Sequence, residues 1–151
     1  MILANFTLIL LASTNIFPDI DSSDIMASQE CPFCHLPNDR ILFENNLAIA
    51  FRDGFPVAEG HLLVIPKRHI ESWFELKSDE RESCHELILN GKKAIKNDDS
   101  SVSGFNLGVN DGLSAGQTIF HAHLHLIPRR HGDVENPRGG VRHVIPGKGY
   151  Y

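Results

Sequence analysis

Basic residues are scarcer in this chain than nonspecific nucleic-acid binding requires. The 151 residues contain 14 Lys and Arg against 19 Asp and Glu, which gives a net charge of −5. Proteins that hold nucleic acid nonspecifically need a basic face to neutralise its phosphates. The charge balance therefore argues against nucleic-acid binding. An apolar fraction of 42% is ordinary for a globular protein, so wholesale disorder is not expected either.

A long uninterrupted hydrophobic run is also lacking. The apolar stretch at residues 1–17 is too short and too often broken by polar residues to span a membrane. It resembles a signal peptide, but no Lys or Arg precedes Arg40, so the positive start of such peptides is missing. Met26 offers an alternative start. We expect residues 1–28 to be a poorly structured extension, either a cleaved signal or a misassigned start, followed by one domain at 29–151. A cytoplasmic location is expected, with export as the alternative.

Cysteine is scarce and odd in number, which suits a reducing compartment. Cys31 and Cys34 form a Cys-x-x-Cys pair, and in such a compartment this pattern more often binds metal or does redox work than closes a loop. A following His35 formally matches a haem attachment site, but neither methionine lies downstream to supply an axial ligand. The turn-prone residues 36–40 do not provide the strand-to-helix setting of a redox pair. Structural zinc, with four thiolate or imidazole ligands, is the better interpretation.

The apolar pattern predicts an α+β fold with about five antiparallel strands, one long helix and one short one. Strands are predicted at 41–44, 47–51, 61–66, 104–110 and 120–127. Ser78 is a plausible helix N-cap, and the helix is predicted to end at 97–100. Its apolar stripe recurs at steps of three and four residues through Cys84, Leu87, Ile88, Gly91, Ala94 and Ile95. Two close-set strand pairs and a helix favour an antiparallel sheet covered on one side.

Three histidines alternate along the predicted fifth strand. In a strand, His121, His123 and His125 share one face, with Cα atoms stepping by about 6.5–7 Å. Ala122 and Leu124 would then lie on the opposite, buried face, together with Leu126. The sequence therefore predicts a row of imidazoles on the sheet.

Imidazole is the side chain best able to act as a neutral nucleophile or proton carrier near pH 7. The preceding Gly116-Gln117-Thr118 offers close backbone approach and neutral donors for an oxyanion. Together these features indicate attack at a phosphorus centre. Chance alternation of polar side chains is one alternative. A catalytic metal on a His-x-His pair is another, but no carboxylate lies between Gln117 and Arg130.

Two sequence blocks, GHLLVIPKRH at residues 60–69 and GQTIFHAHLHLI at residues 116–127, resemble the signatures of the histidine triad (HIT) superfamily. The similarity runs from about Cys31 to Arg130. The resemblance implies a HIT-like fold, a homodimer, and a nucleotide hydrolase or transferase that cleaves at the α-phosphate through a nucleotidyl-histidine intermediate. The third triad position holds His125, whereas the uridylyl-transferring branch has Gln there, so hydrolysis is favoured.

The resemblance also implies roles for single residues. His123 would be the nucleophile, His125 would contact phosphate and assist the leaving group, and His121 would support the array. Asp53 would hold the ribose hydroxyls, and His61 matches a histidine whose role the motif does not define. The nucleotide-binding set would be Asp53, Asn110, Gly116, Gln117, Thr118 and His125.

Relatives that carry Cys-x-x-Cys imply that His69 and His121 complete a zinc site with Cys31 and Cys34. His121 would then serve the metal rather than the nucleophile. No organic cofactor is expected.

The expected substrate is a purine nucleotide derivative, either a dinucleoside polyphosphate or a nucleoside 5′-phosphoramidate. From residue 129 onward the tail carries five basic residues against two acidic ones. Arg129 and Arg130 could reach a polyphosphate leaving group, which favours the first substrate class. The competing interpretation is a non-catalytic nucleotide- or zinc-binding regulator on the same fold.

Overall fold

The computed structural model describes residues 31–151, so the predictions for residues 1–28 lie outside the described part. A single antiparallel sheet has the strand order β1-β2-β3-β5-β4. This arrangement confirms the α+β prediction. The strands are β1 (Ile41–Glu44), β2 (Ala48–Arg52), β3 (Leu62–Pro66), β4 (Val102–Val109) and β5 (Leu124–Arg130).

One α-helix, α1 (Ser78–Asp98), occurs in residues 31–151, and it covers one face of the sheet. The predicted stripe is buried apart from the half-buried Ala94, and it packs on Ala48, Ala50, Leu62, Val64, Leu124 and Leu126. Gly91 permits close approach, because a Cβ there would lie 2.9 Å from Leu62 Cδ1. Within residues 31–151, none of the helices combines the length and the apolar character that crossing a membrane requires.

Helix boundaries differ in detail from the prediction. Ser78 is the first helical residue and Lys77 precedes it as the N-cap, with the Lys77 N–H donating to Glu80 Oε2 at 2.8 Å. The single short helix that the sequence predicts is replaced by four 3-10 segments. They are Asn38–Arg40, Trp73–Glu75, Leu113–Ala115 and Gly140–Val144.

The fifth strand is displaced from its predicted position. It begins at Leu124 and continues through Pro128 to Arg130, whereas the prediction placed it at 120–127. Beyond Leu126 the strand has only β4 as a neighbour, because its pairing with β3 covers 124–126. A proline, which cannot donate to a ladder, fits where one side of a strand has no partner. Residues 119–123 instead form a turn, in which Ala122 N–H donates to Ile70 O at 2.6 Å.

Candidate functional site

Four donor side chains converge beside the sheet. The ligand atoms of Cys31, Cys34, His69 and His121 all lie within 4.8 Å of one another. Cys34 Sγ is 3.3 Å from His69 Nδ1, and both thiol sulfurs are 3.5 Å from His121 Nδ1. A tetrahedron with Zn–N of about 2.0 Å and Zn–S of about 2.3 Å has edges of about 3.3–3.8 Å. The set therefore has the composition and the spacing of a closed zinc site.

The cluster joins three distant segments of the chain. The cysteines lie on a turn in which Cys34 N–H donates to Cys31 O at 3.1 Å, and His69 follows the end of β3. His121 lies in the turn before β5, where its Nε2 donates to Pro66 O at 2.8 Å. That bond directs Nδ1 of His121 toward the thiols, as the outer partner of a metal-bound histidine does.

Burial controls protonation inside this cluster. It lowers the pKa of His121 to about 4, and it raises the pKa of the Cys34 thiol to about 12, with the neighbouring Cys31 adding to that rise. A thiol with so high a pKa is a poor nucleophile in the absence of a metal. The arrangement thus disfavours a redox-active cysteine pair, and metal binding at this cluster would require loss of the thiol protons.

The row of three imidazoles that the sequence predicts on one strand is not present, because His121 and His123 precede β5. The rings of His123 and His125 are neighbours, with centroids 5.1 Å apart. The ring of His121 packs instead against His69 at 5.2 Å. The local turn separates His121 from the other two, and the side chain of His121 belongs to the cysteine cluster.

The tautomer of His123 follows from its backbone partner. Its Nδ1 donates to the carbonyl oxygen of His121 at 2.7 Å, which leaves Nε2 of the neutral ring with a lone pair. Phe33 packs edge-on against His123, with ring centroids 5.4 Å apart, and the side chain is buried. His121 thus contributes to this arrangement through its backbone while its side chain faces the cysteines.

Asp53, His61 and His125 form a hydrogen-bonded chain. His61 Nε2 is 3.0 Å from His125 Nδ1, and His61 Nδ1 is 3.2 Å from Asp53 Oδ2. The Val57 N–H lies 3.3 Å from the same Nδ1. When the proton of His61 is on Nε2, His61 donates to Nδ1 of His125, and the proton of His125 is on its Nε2. When the proton of His61 is on Nδ1 and faces Asp53, His125 carries its proton on Nδ1, and its Nε2 is an acceptor. Nε2 of His125 is therefore a donor in one tautomeric arrangement of the two rings and an acceptor in the other.

Nε2 of His125 is the last nitrogen of this hydrogen-bonded series. Nε2 of His125 is buried and has no hydrogen-bond partner among the described residues. Burial lowers the pKa of His125 to about 4, with further lowering by His123 and His61 and an opposing effect of Asp53. Burial also lowers the pKa of His61, against the attraction of Asp53. His125 is consequently neutral at pH 7.

A cavity of about 670 Å³ opens beside His125. This volume lies in the range of sites that enclose a small-molecule ligand. Of the predicted nucleotide-binding residues, Asp53, Asn110 and His125 line it. Other lining residues come from the loop before β3, from β4 and β5, and from the C-terminal segment; they include Phe55, Val57, His61, Leu107, Ile127, Val141 and Val144.

The structure places the glycine-glutamine-threonine run outside this cavity wall. The amide of Gln117 accepts from Gly112 N–H at 2.7 Å and donates to Glu71 O at 2.8 Å, so it holds the loop together. Thr118 lines a second cavity of about 330 Å³ beside Cys31. Contact of Gly116, Gln117 and Thr118 with a nucleotide stays a prediction.

Both arginines expected to reach a polyphosphate are already paired. Arg129 donates to Asp133 at 2.7 and 2.8 Å and to Asn106 Oδ1 at 2.6 Å. Arg130 donates to Asp99 at 2.6 Å. Arg129 lines the cavity, and Arg130 does not. The sequence shows the excess of basic residues but not the carboxylates that pair with Arg129 and Arg130. Because both guanidinium groups are already paired, the preference for a polyphosphate substrate loses its support.

Sequence reasoning missed the C-terminal contribution to the cavity. Val134, Gly140, Val141 and Val144 line it, although they follow the motif blocks. The adjacent glycines at 139 and 140 were the sequence signal of a turn that could bring this segment back to the sheet. Both adopt positive φ, of 93° and 50°, which glycine accepts readily.

A family profile described as the HIT domain matches residues 37–132. The chain belongs to the HIT family. Among individual proteins, an uncharacterised HIT-like protein of Mycoplasma pneumoniae is 39% identical to this HIT protein over 110 residues. The alignment covers 69% of this chain and 74% of that one. This HIT protein is 34% identical over 119 residues to adenylylsulfatase HINT3 of Arabidopsis thaliana, covering 76% of this chain and 58% of that one.

Solved structures share the fold of this HIT protein. The crystal structure of a zinc-bound histidine triad family protein from Mycobacterium smegmatis aligns with a TM-score of 0.64 and 32% identity, covering 72% of this chain and 81% of that chain. That relative binds zinc, the metal that the Cys31–Cys34–His69–His121 cluster suits. The predicted HIT-like fold is confirmed.

Proposed function

We propose that this HIT protein hydrolyses a nucleoside phosphate derivative at its α-phosphate through a nucleotidyl intermediate on His123. One observation carries the proposal: the bond from His123 Nδ1 to the His121 carbonyl, 2.7 Å long, leaves Nε2 as a lone-pair donor. Nε2 of the neighbouring His125 has no hydrogen-bond partner among the described residues, and His125 lines a cavity large enough for a nucleotide. A nucleophile held beside a proton carrier is the arrangement that covalent catalysis requires.

The reaction balances in two steps. Nε2 of His123 attacks phosphorus, the bond to the leaving group breaks, and the Nε2 proton of His125 goes to the leaving group. Water then gives a proton to Nε2 of His125 and attacks the same phosphorus, which frees His123 and yields the nucleoside monophosphate. For this transfer His61 carries protons on both ring nitrogens beside the Asp53 carboxylate; as His125 gives up its Nε2 proton, the Nε2 proton of His61 moves to Nδ1 of His125, and water reverses both transfers in the second step.

The proposed substrate is an adenine nucleotide derivative with a leaving group on the α-phosphate. Dinucleoside polyphosphates and nucleoside 5′-phosphoramidates both have this form, and so does the adenylyl sulfate on which the Arabidopsis relative is named to act. The pairing of Arg129 and Arg130 removes the reason to prefer a polyphosphate. We further propose a homodimeric, cytoplasmic protein; light scattering that gives only the 16.8 kDa monomer would contradict the dimer.

The test is turnover of a panel holding one member of each substrate class. Wild-type protein is expected to release adenosine monophosphate, and His123→Gly to lose activity by at least about 1,000-fold, because its nucleophile is gone. Alkaline quenching followed by peptide mass analysis should find the nucleotidyl adduct on His123. His85→Gly, at an exposed helix position, controls for histidine loss.

Near wild-type activity of folded His123→Gly, or an adduct on another residue, would show that the nucleophile is misassigned. Tight nucleotide binding by wild-type protein without turnover of any member would favour the non-catalytic regulator.

We also propose that Cys31, Cys34, His69 and His121 hold a structural zinc ion. Two thiolates and two imidazoles at 3.3–3.5 Å separations support it, as does the zinc-bound relative from Mycobacterium smegmatis. Four protein ligands would leave no open position, so the ion would contribute stability rather than polarise a substrate. Elemental analysis of protein purified without added metal should give about one zinc per chain.

A further inference from the structure

The segment after β5 has no role in the proposed reaction, yet it supplies part of the cavity wall. Val141 and Val144 lie on the 3-10 helix Gly140–Val144, and both line the cavity beside His125. The HIT-domain match ends at residue 132. This part of the wall therefore comes from outside the matched family region.

Contacts within the segment hold the 3-10 helix in place. Arg142 donates through Nε to Gly149 O at 3.3 Å and through its terminal nitrogen to Lys148 O at 3.2 Å. The guanidinium groups of Arg138 and Arg142 lie 4.7 and 5.2 Å from the ring centroid of Tyr151. Cation–ring contacts and charge-assisted hydrogen bonds both stabilise a fixed geometry. The segment thus closes on itself and presents its valines at a set position.

The wall that results is apolar and exposed. Val141 is 59% exposed and Val144 is 71% exposed, and the loop before β3 adds Phe55 at 91% and Val57 at 73% to the same cavity. These side chains are not core residues, because a core would bury them. Large exposed apolar side chains gathered around one cavity indicate contact with a ligand.

The cavity has a polar region at His125 and an apolar region at the valines, and the two suit different parts of a ligand. Among the described residues, Nε2 of His125 is the buried side-chain polar atom without a hydrogen-bond partner, and His125 lines the cavity. The strongest cation on the wall, Arg129, is neutralised by its bonds to Asp133. The valine wall therefore offers dispersion and desolvation rather than charge, which suits a flat apolar ring.

We propose that Val141 and Val144 form a subsite that binds a flat ring of the substrate. The ring is either the nucleobase or an aromatic group in the leaving group, and both present the same chemistry to the valines. The identity of the substrate rests on the proposed function; the subsite itself rests on the cavity and on the segment that builds its wall.

The test compares Val141→Ala/Val144→Ala with Ile145→Ala, an exposed neighbour that does not line the cavity. Substrates are adenosine 5′-phosphoramidate with ammonia as the leaving group and its tryptamine derivative. The double variant should raise KM by about 10-fold, because it removes part of the apolar surface that contacts the ring, while kcat changes less than about twofold. Because both valines are largely exposed, the thermal midpoint should stay near that of wild type.

A rise with both substrates assigns the subsite to the base, and a rise with the tryptamine derivative alone assigns it to the leaving group. Wild-type KM values for both substrates in the double variant would overturn the proposal.

Binding without turnover separates this subsite from the proposed reaction. Calorimetry in a His123→Gly background measures the dissociation constant of the tryptamine derivative, which carries both rings. About 10-fold weaker binding after the valine substitutions supports the subsite even if wild-type protein hydrolyses nothing. Equal binding with and without the valines, or no binding at all, overturns it.

Discussion

Each histidine of the site has its behaviour set by one immediate partner. His121 donates to Pro66 O and so turns Nδ1 to the thiols, while His123 donates to His121 O and so frees Nε2. His125 instead pairs with the ring of His61 at 3.0 Å. Three residues of one type, alternating in sequence, therefore have three different hydrogen-bond partners, and the roles proposed for them differ accordingly. A change of partner should alter the function of the histidine without removing its ring.

His61→Asn tests that inference at the residue scale. Removing the ring ends the proton shift to His125, so substrates whose leaving group needs a proton should suffer most. We expect kcat for a phosphoramidate to fall about 10- to 100-fold, in the lower range for general-acid catalysis. Adenylyl sulfate, whose leaving group needs no proton, should lose less than about threefold. The measurement is steady-state kinetics on both substrates.

The exposed His85→Asn serves as the control and should match wild type on both substrates. An equal loss of rate on the two substrates in His61→Asn would mean that His61 acts on the fold and not on the proton.

At the scale of elements, the start of α1 is fixed by an ion pair with the segment that follows β3. Arg68 donates through two nitrogens to both carboxylate oxygens of Glu80, at 2.7 and 2.8 Å. The Glu80 carboxylate also accepts from Lys77 N–H at 2.8 Å and is 6% exposed. These bonds lower the pKa of Glu80 to about 2. The same residue thus caps the helix and docks it next to His69.

Glu80→Gln should destabilise the protein by about 1–3 kcal/mol at pH 7, because the buried side chain would no longer accept from Arg68 with two carboxylate oxygens. The folded-state pKa lies below the ordinary 4.5, so the carboxylate stabilises the fold above about pH 4.5 and loses that effect as the pH falls toward 2. The difference in free energy of unfolding between wild type and Glu80→Gln should therefore shrink over that window. Urea unfolding at several pH values measures it.

Glu44→Gln provides the matched control, since Glu44 pairs with Lys67 at 2.7 Å while 55% exposed. An exposed pair is worth less than about 1 kcal/mol. A pH-independent difference for Glu80→Gln would contradict the lowered pKa.

Local patterns predicted the elements well and their edges poorly. The stripe from Cys84 to Ile95 was readable because helical periodicity depends on neighbours a few residues apart. The start of β5 was not, because it depends on how far β3 extends beside it. The motif blocks predicted site roles for His69, His121, His123 and His125, and the Cys-x-x-Cys pattern predicted the two cysteine ligands. The partners of Arg129 and Arg130, and the valine wall, depend on contacts between distant segments that no local pattern encodes.

At the scale of the whole molecule, the cysteine cluster brings the turn before β1 together with the loop after β3 and the turn before β5. Cys31 and His121 are 90 residues apart, and Cys34 and His69 are 35 apart. Because the unfolded chain would not hold these four ligands together, the free energy of binding an ion would add to the stability of the fold. A bound ion would also fix His121, whose carbonyl orients His123. Stability and activity should therefore fall together when the metal is lost.

Zinc removal tests this coupling. A strong chelator should lower the thermal midpoint by about 10 °C, the shift expected for a loss of about 3–4 kcal/mol in a chain of this size. Cys31→Ser/Cys34→Ser should start near that lower midpoint and show no further response to chelator. Cys84→Ala, which changes a buried cysteine outside the cluster, should keep both the zinc and the response. At a temperature where the metal-free protein is still folded, kcat should drop because the His121 carbonyl no longer holds His123 in one tautomer. Full activity of folded, zinc-free protein would show that the cluster stabilises the fold without positioning the nucleophile.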